Sequence, residues 1–205
     1  MFPKLTPAVR AIILVNILAY VVEKVAWTPM ETHLALWSLA TPGALFRPWQ
    51  LVTYGFLHDP ANIWHLVFNM FALYMFGPPL EQFCGPRRFL AYYFVCLIAA
   101  GATQLAVDQA THGAESIIGA SGAIFGILLA VAILFPRAKL LLYFVIPMPV
   151  WLFVSGYAVL ELFFGVTGRE SGIGHFAHLG GMVGGALMML YWRLRYGRGA
   201  WRPTI

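Results

Sequence analysis

The chain has 205 residues, of which 60% are apolar and only 10% charged, against roughly 25% charged in an average soluble domain. Its mean hydropathy is +0.76, and a water-soluble fold of this size has no interior for so much apolar side chain. An ordinary soluble enzyme, a disordered chain and a nucleic-acid module are excluded, and the net charge of +5 reads instead as a Lys/Arg bias on one side of a bilayer.

A bilayer-spanning helix needs about 20 mostly apolar residues. The first such stretch, 8–26, follows Lys4 and Arg10 and contains Asn16. A basic start before an apolar run also fits a signal peptide, but no small-x-small cleavage site follows, so the stretch reads as a retained helix. Residues 27–61 form one long loop. It holds Trp27, Trp37, Phe46 and Trp49, with Pro29, Pro42, Pro48 and Pro60 to break any long helix. Trp favours the headgroup level, so the loop is expected in or on the outer leaflet. The other spans are 62–80, 88–107, 117–135, 144–165 and 174–194. No repeat or second domain interrupts 1–205. The expected fold class is all-α, a polytopic membrane protein with six transmembrane helices in a single domain. Cys84 and Cys96 lack both metal and framework spacing and read as free thiols.

Alternating the spans from a cytoplasmic N-terminus sorts the cations. Lys4, Arg10, Arg87, Arg88, Arg137, Lys139, Arg193, Arg195, Arg198 and Arg202 fall inside; Lys24, Arg47 and Arg169 fall outside. The positive-inside rule then puts both termini in the cytoplasm. The C-terminal arginines serve as a topology anchor first and an anionic-lipid contact second.

Polar groups within apolar spans are costly and often functional. They are His65 and Asn69 in the second span, Ser121 in the fourth, and His175 and His178 in the sixth. These three spans run in the same direction, so Ser121, His178, His65 and Asn69 share a depth near the outer face. Gly122 and Gly126 make a small-xxx-small face on the fourth span. Gly181 and Gly185 make the matching face on the sixth, with Gly180 and Gly184 as a second row. Such faces let the two helices approach closely enough for a Ser–His contact. A serine hydroxyl becomes a nucleophile when a base within hydrogen-bond reach takes its proton, and His178 is the candidate base. Ser121 lies near a helix start, where backbone N–H groups are free, and His65 and Asn69 at i and i+4 add donors for an oxyanion. No carboxylate sits beside His178 in sequence, so a dyad is expected rather than a triad. Glu161 in the fifth span reads as paired or water-facing.

Four motifs stand in order: Glu81 and Gly85 as ExxxG after His65 and Asn69 as HxxxN, then Gly119-Ala120-Ser121-Gly122 as GxSG, then His178, Gly181 and Gly185 as HxxGxxxG. Together they make residues 45 to 190 resemble the rhomboid intramembrane serine proteases, in the minimal six-helix bacterial form. The resemblance implies a six-helix bundle with a water-filled cavity open to the outer side. It implies peptide-bond hydrolysis in or near the transmembrane segment of a membrane-anchored substrate, in the inner (plasma) membrane. Ser121 is then the nucleophile and His178 the general base. The Ser121 N–H, His65 and Asn69 form the oxyanion hole, and Phe125 matches an aromatic that stacks on the catalytic imidazole. Gly119, Gly122, Gly181 and Gly185 support the site. The family often has Trp-Arg in the first loop; Trp49-Gln50 stands here, which removes a charged anchor. The partners implied are transmembrane substrates and the lipid bilayer, with no metal and no organic cofactor. His175 and His178 lack a zinc-binding context.

Blander readings stand beside these. Ser121 fits a packing residue in a glycine seam, and His178 a helix-packing histidine. His65 and Asn69 fit ties between helices, and His175 a structural or mouth-lining group. His33, His58 and His112 fall in loops and carry no signal. Trp151-Leu152-Phe153 reads as lipid contact. The alternative function is a catalytically inactive rhomboid-like protein that binds membrane helices as an adaptor. A transporter would show paired mid-membrane charges and internal repeats, and neither is visible.

Overall fold

The first apolar stretch folds as α1, Pro7–Leu34, in a computed structural model that describes residues 3–43, 45–114, 116–142, 145–168 and 174–197. Arg169, Arg198 and Arg202, placed above by charge counting, lie outside these residues. Pro7 opens α1 at a position where a missing N–H costs nothing. The Thr6 side chain makes no local cap. The cap comes instead from α3, where the Glu81 carboxylate accepts the N–H groups of Ala8 and Val9, each at 2.9 Å, and the Thr6 hydroxyl at 2.5 Å. The ExxxG motif is thus the clamp between the start of α1 and the end of α3, and Gly85 terminates α3 at φ +82°.

α1 runs eight residues past its expected end, with non-helical angles at Ala26. Pro29 does not stop it. The proline follows that kink by three residues, in the first turn of the second segment, where few helical N–H partners are required. One stripe of α1 (Val9, Ile12, Asn16, Tyr20, Glu23) is buried, and the opposite stripe exposes Leu14, Leu18, Val21 and Val25, the last at 87%.

The elements that follow are β1 Leu36–Trp37, α2 Gln50–Thr53, a 3₁₀ turn Tyr54–Phe56, α3 Ile63–Cys84, α4 Pro86–Thr111, β2 Ser116–Ile117 and α5 Ser121–Leu134. The chain continues with β3 Lys139–Leu142, β4 Ile146–Pro149, α6 Val150–Thr167 and α7 His175–Tyr196. Two starts differ from expectation. α5 begins at Ser121 rather than 117, because Ser116 and Ile117 pair antiparallel with Trp37 and Leu36 and Gly119 takes φ +117°. α6 begins at Val150 rather than 144, because Pro147 and Pro149 lack helical N–H groups and sit in β4, paired to β3.

α5 is apolar all round and buried on nearly every face, as a central helix must be. α4 and α7 flank it and pack most extensively on each other. Phe89, Tyr92, Tyr93, Cys96, Leu97 and Ala100 of α4 are fully buried, and Cys84 and Cys96 are free thiols. α3, α4 and α6 are long and apolar enough to cross a membrane. α5 is apolar with 14 residues, and α1 and α7 are long but diluted by charged and polar groups. The outward faces of α1, α3, α6 and α7 are apolar, with Phe68, Val159, Val166, Leu187 and Leu194 exposed. A surface of that kind belongs in lipid. The fold is an all-α membrane bundle with two small two-stranded pairings.

The long loop is built around Gln50, which is fully buried. Its Oε1 accepts the N–H of Arg47 at 3.0 Å and of Trp37 at 3.4 Å, and its Nε2 donates to Leu45 O at 3.2 Å. A neutral, buried amide anchors the loop here. Ser38 Oγ donates to Gly113 O at 2.5 Å and Thr41 Oγ1 to Ala114 O at 2.8 Å. These bonds tie the first loop to the segment that leads into α5.

Candidate active site

Ser121 is the first residue of α5. The first helical bond is Ile124 N–H to Ala120 O, so the N–H groups of Ser121, Gly122 and Ala123 precede the ladder. The turn before it is held by Gly119, whose N–H donates to Tyr54 O at 2.9 Å. The Tyr54 hydroxyl in turn donates to Leu97 O at 2.8 Å. Ser121 Oγ lies 2.7 Å from His178 Nε2. His178 sits one turn into α7, its N–H bonded to Gly174 O.

Glycines permit that distance. A Cβ on Gly181 would collide with the backbone carbonyl of Gly122, and one on Gly126 would meet Gly181 O at 2.9 Å. The α5–α7 seam is therefore Gly122, Gly126 and Gly181. Gly185 departs from the expected face: it abuts the Tyr92 hydroxyl of α4, while Gly180 and Gly184 face Thr103 and Ala99 of α4. One helix carries two glycine rows because it presses on two neighbours.

Phe125 stacks on His178, with centroids 4.3 Å apart and planes 14° from parallel. On the other side the expectation of no neighbouring carboxylate is overturned. Glu161 Oε1 lies 3.0 Å from His178 Nδ1, a close contact without hydrogen-bond alignment. Glu161 Oε2 lies 2.6 Å from His175 Nδ1. Glu161 is 4% exposed and His175 6%. The residue expected to be paired or water-facing is buried between two imidazoles. Sequence spacing missed it because 17 positions separate it from His178; a lone carboxylate in an apolar span was the available signal.

His65 Nδ1 accepts the Asp59 N–H over a long 3.4 Å. This bond favours the tautomer with the proton on Nε2, and Nε2 lies over Gly119, 2.8 Å from where a Cβ would sit. Asn69 Nδ2 donates to His65 O at 2.8 Å, so one of its two amide hydrogens is committed to its own helix. His65, Asn69, Ser121 and His178 line one cavity of about 1670 Å³, walled on the α6 side by Phe153 and Tyr157. Phe153 faces inward rather than to lipid, unlike Trp151 and Leu152, which are exposed.

His58 is likewise more than a loop residue. It is fully buried, its N–H donates to both Glu23 oxygens at 3.2 Å, and its ring lies 4.9 Å from that of His65. Burial holds the imidazole down to about 3, helped by the neighbouring His65 and opposed by a backbone bond at Phe56. It is a neutral prop beneath His65. Among the described residues no cluster of His, Cys, Asp and Glu has the geometry of a metal site.

The arrangement holds a hydroxyl on a partly buried imidazole, a carboxylate behind that imidazole and unbonded N–H groups beside the hydroxyl. That is a set of parts suited to acyl transfer. The family model described as the rhomboid domain matches residues 45–195. Rhomboid protein 1, mitochondrial, of Saccharomyces cerevisiae is 37% identical over 133 residues, 63% of this chain and 38% of that protein. RHOMBOID-like protein 12, mitochondrial, of Arabidopsis thaliana is 34% identical over 167 residues, 72% of this chain and 47% of that protein. Presenilin-associated rhomboid-like protein A, mitochondrial, of Danio rerio is 29% identical over 172 residues, 82% of this chain and 42% of that protein. The chain spans less than half the length of each of these relatives.

Proposed function

Because the chain belongs to the rhomboid family, we propose that it is an intramembrane serine endopeptidase that cleaves membrane-anchored proteins in or near their transmembrane segment. The observation that carries the reading is the 2.7 Å contact between Ser121 Oγ and His178 Nε2, on a partly buried imidazole that lines a cavity. In this mechanism the Ser121 hydroxyl gives its proton to His178 Nε2 as Oγ bonds to the scissile carbonyl carbon. The Ser121 N–H and the His65 Nε2–H receive the oxyanion, with Asn69 on the same wall. Collapse restores the carbonyl and breaks the C–N bond, and the imidazolium returns its proton to the leaving amine. Water then attacks the acyl ester, His178 takes its proton, and Ser121 leaves with it. The steps use no metal or organic cofactor.

A helix hides its carbonyls in i→i−4 bonds, so a substrate must unwind locally, and Gly or Pro near the cut favours that. The glycine-bordered site favours a small residue just before the cut. Efficient cleavage of a stable poly-Leu helix with a bulky residue there contradicts this preference.

The Lys/Arg bias supports both termini on the cytoplasmic side and the site toward the outer face. The sequence suggested a bacterial plasma membrane, whereas the relatives carry mitochondrial names. Fractionation of the native cell is the test, and enrichment in mitochondrial membranes replaces the bacterial assignment.

Labelling of the detergent-solubilised protein with a fluorophosphonate serine probe tests the activity. Wild type is expected to label, and Ser121→Ala and His178→Ala to lose labelling with their fold retained. Labelling that survives in either variant removes the assignment. A folded wild type that never labels or cleaves but still captures membrane helices supports the inactive adaptor.

A further inference from the structure

Glu161 sits on α6 between Leu160 and Leu162, whose side chains are exposed on the outer face of the bundle. Its own side chain turns inward, and its two oxygens divide between two histidines. Oε1 is 3.0 Å from His178 Nδ1 and Oε2 is 2.6 Å from His175 Nδ1. A carboxylate this buried is costly unless its oxygens are satisfied. Both partners lie on α7 at i and i+3, so they share a helix face. His178 is thereby held on three sides: Ser121 at Nε2, Phe125 on the ring face, Glu161 at Nδ1. His175 is itself flanked by the Phe164 ring, 5.8 Å away.

We propose that Glu161 is a positioning residue for His178, with His175 as the clamp that aims its carboxylate. This rests on the protease reading above. The carboxylate holds the proton on His178 Nδ1, leaving the Nε2 lone pair for the Ser121 hydroxyl. When that hydroxyl proton moves to Nε2, Glu161 stabilises the imidazolium across the 3.0 Å gap without taking a proton itself. The gap lacks hydrogen-bond alignment in the resting site, and a catalytic contact of this kind tightens when substrate binds. Other titratable groups around His178 are His175 on its own helix, Tyr157 on α6 beside Phe125, and His65 from α3. α5 offers Ser121 and Phe125, and α4 meets α7 through Ala99, Thr103 and Tyr92.

The test is steady-state cleavage of a transmembrane model substrate by wild type, Glu161→Gln, Glu161→Asp and His175→Gln, from pH 5 to 9, with thermal unfolding of each variant. Glu161→Gln is expected to lower kcat by roughly 10-fold or more with KM little changed. Its acidic limb is expected to move to lower pH, because the imidazole has lost the charge that favours its protonation. Glu161→Asp retains the charge and is expected to keep the acidic limb near that of wild type, with a smaller drop in kcat. His175→Gln is expected to fall between the two. A merely structural role lowers the melting temperature of Glu161→Gln and leaves kcat of the folded enzyme and its pH limb in place, and that result overturns the proposal. If Glu161→Gln does not fold, Glu161→Asp decides: kcat equal to wild type overturns it. A wild type that neither labels nor cleaves refutes the protease reading instead, so the two failures are distinct.

Discussion

Phe125 lies face to face with the His178 imidazole, at 4.3 Å between centroids and 14° from parallel. The two residues come from different helices, α5 and α7, and Phe125 is one turn beyond Ser121 on the same helix. The ring that supports the base and the hydroxyl that uses it are therefore fixed by one rigid element. Stacked aromatic pairs contribute about 0.5–1.5 kcal/mol beyond their buried area. Phe125→Leu keeps the apolar volume and removes the stack. It is expected to lower kcat by roughly 3- to 10-fold, read as cleavage of a model substrate, with the melting temperature lowered by no more than a few degrees. Equal turnover in the variant means that the stack does not position His178.

The α5–α7 approach depends on the absence of side chains at the seam glycines, Gly181 above all. Gly181 presses on the Gly122 carbonyl, whereas Gly156 on α6 faces open space. Gly181→Ala is expected to destabilise the bundle by about 1–3 kcal/mol through overpacking, and to separate Ser121 from His178. Gly156→Ala is expected to be neutral or slightly stabilising, since Ala is the better helix former. Thermal unfolding in detergent compares the two, and a Gly181→Ala melting temperature equal to that of Gly156→Ala sinks the close-packing account.

Glu81 closes the start of α1 from a distance of more than 70 residues in sequence, with three hydrogen bonds from Thr6, Ala8 and Val9. It is buried, so its loss leaves two backbone donors without partners. Glu81→Ala is expected to cost about 2 kcal/mol, visible as a lower melting temperature and as faster proteolysis near residue 7. Unchanged protection of that end shows that the cap is dispensable.

His58 makes stability depend on pH. Its folded imidazole is held down to about 3, whereas in the unfolded chain it titrates near 6.5. As pH falls below about 6.5 the unfolded chain binds the proton first, so stability present above that value is lost progressively toward about 3, by at most ~1.4 kcal/mol per pH unit. The groups around it are Glu23, Asp59 and His65. Melting temperatures between pH 7.5 and 4.5 are expected to fall less steeply for His58→Phe than for wild type. Parallel slopes assign the acid sensitivity to another group.

Local sequence properties were enough for the membrane class and the mostly helical fold, and for singling out Ser121, His178, His65 and Asn69, which the structure brings to one cavity. Each rests on something a short window contains: apolar run length, charge asymmetry, or a polar residue where lipid forbids one. The expected depth match between Ser121 and His178 follows from the fixed rise of a helix, and the two atoms do meet at 2.7 Å. The tertiary structure decided what lies beside them. Glu161 reaches His178 only because α6 packs on α7 in one rotation, and no period in the sequence encodes the rotation of one helix about another. The same holds for Gln50, whose buried amide anchors the loop, and for His58, buried under His65 by the return of the loop. The starts of α5 and α6 moved for a related reason. Backbone pairing between Leu36 and Ile117, and the prolines of β4, set helix ends that hydropathy cannot see. Apolarity fixes which segments enter the bilayer, but side-chain contacts between segments depend on packing angles that only the assembled bundle sets.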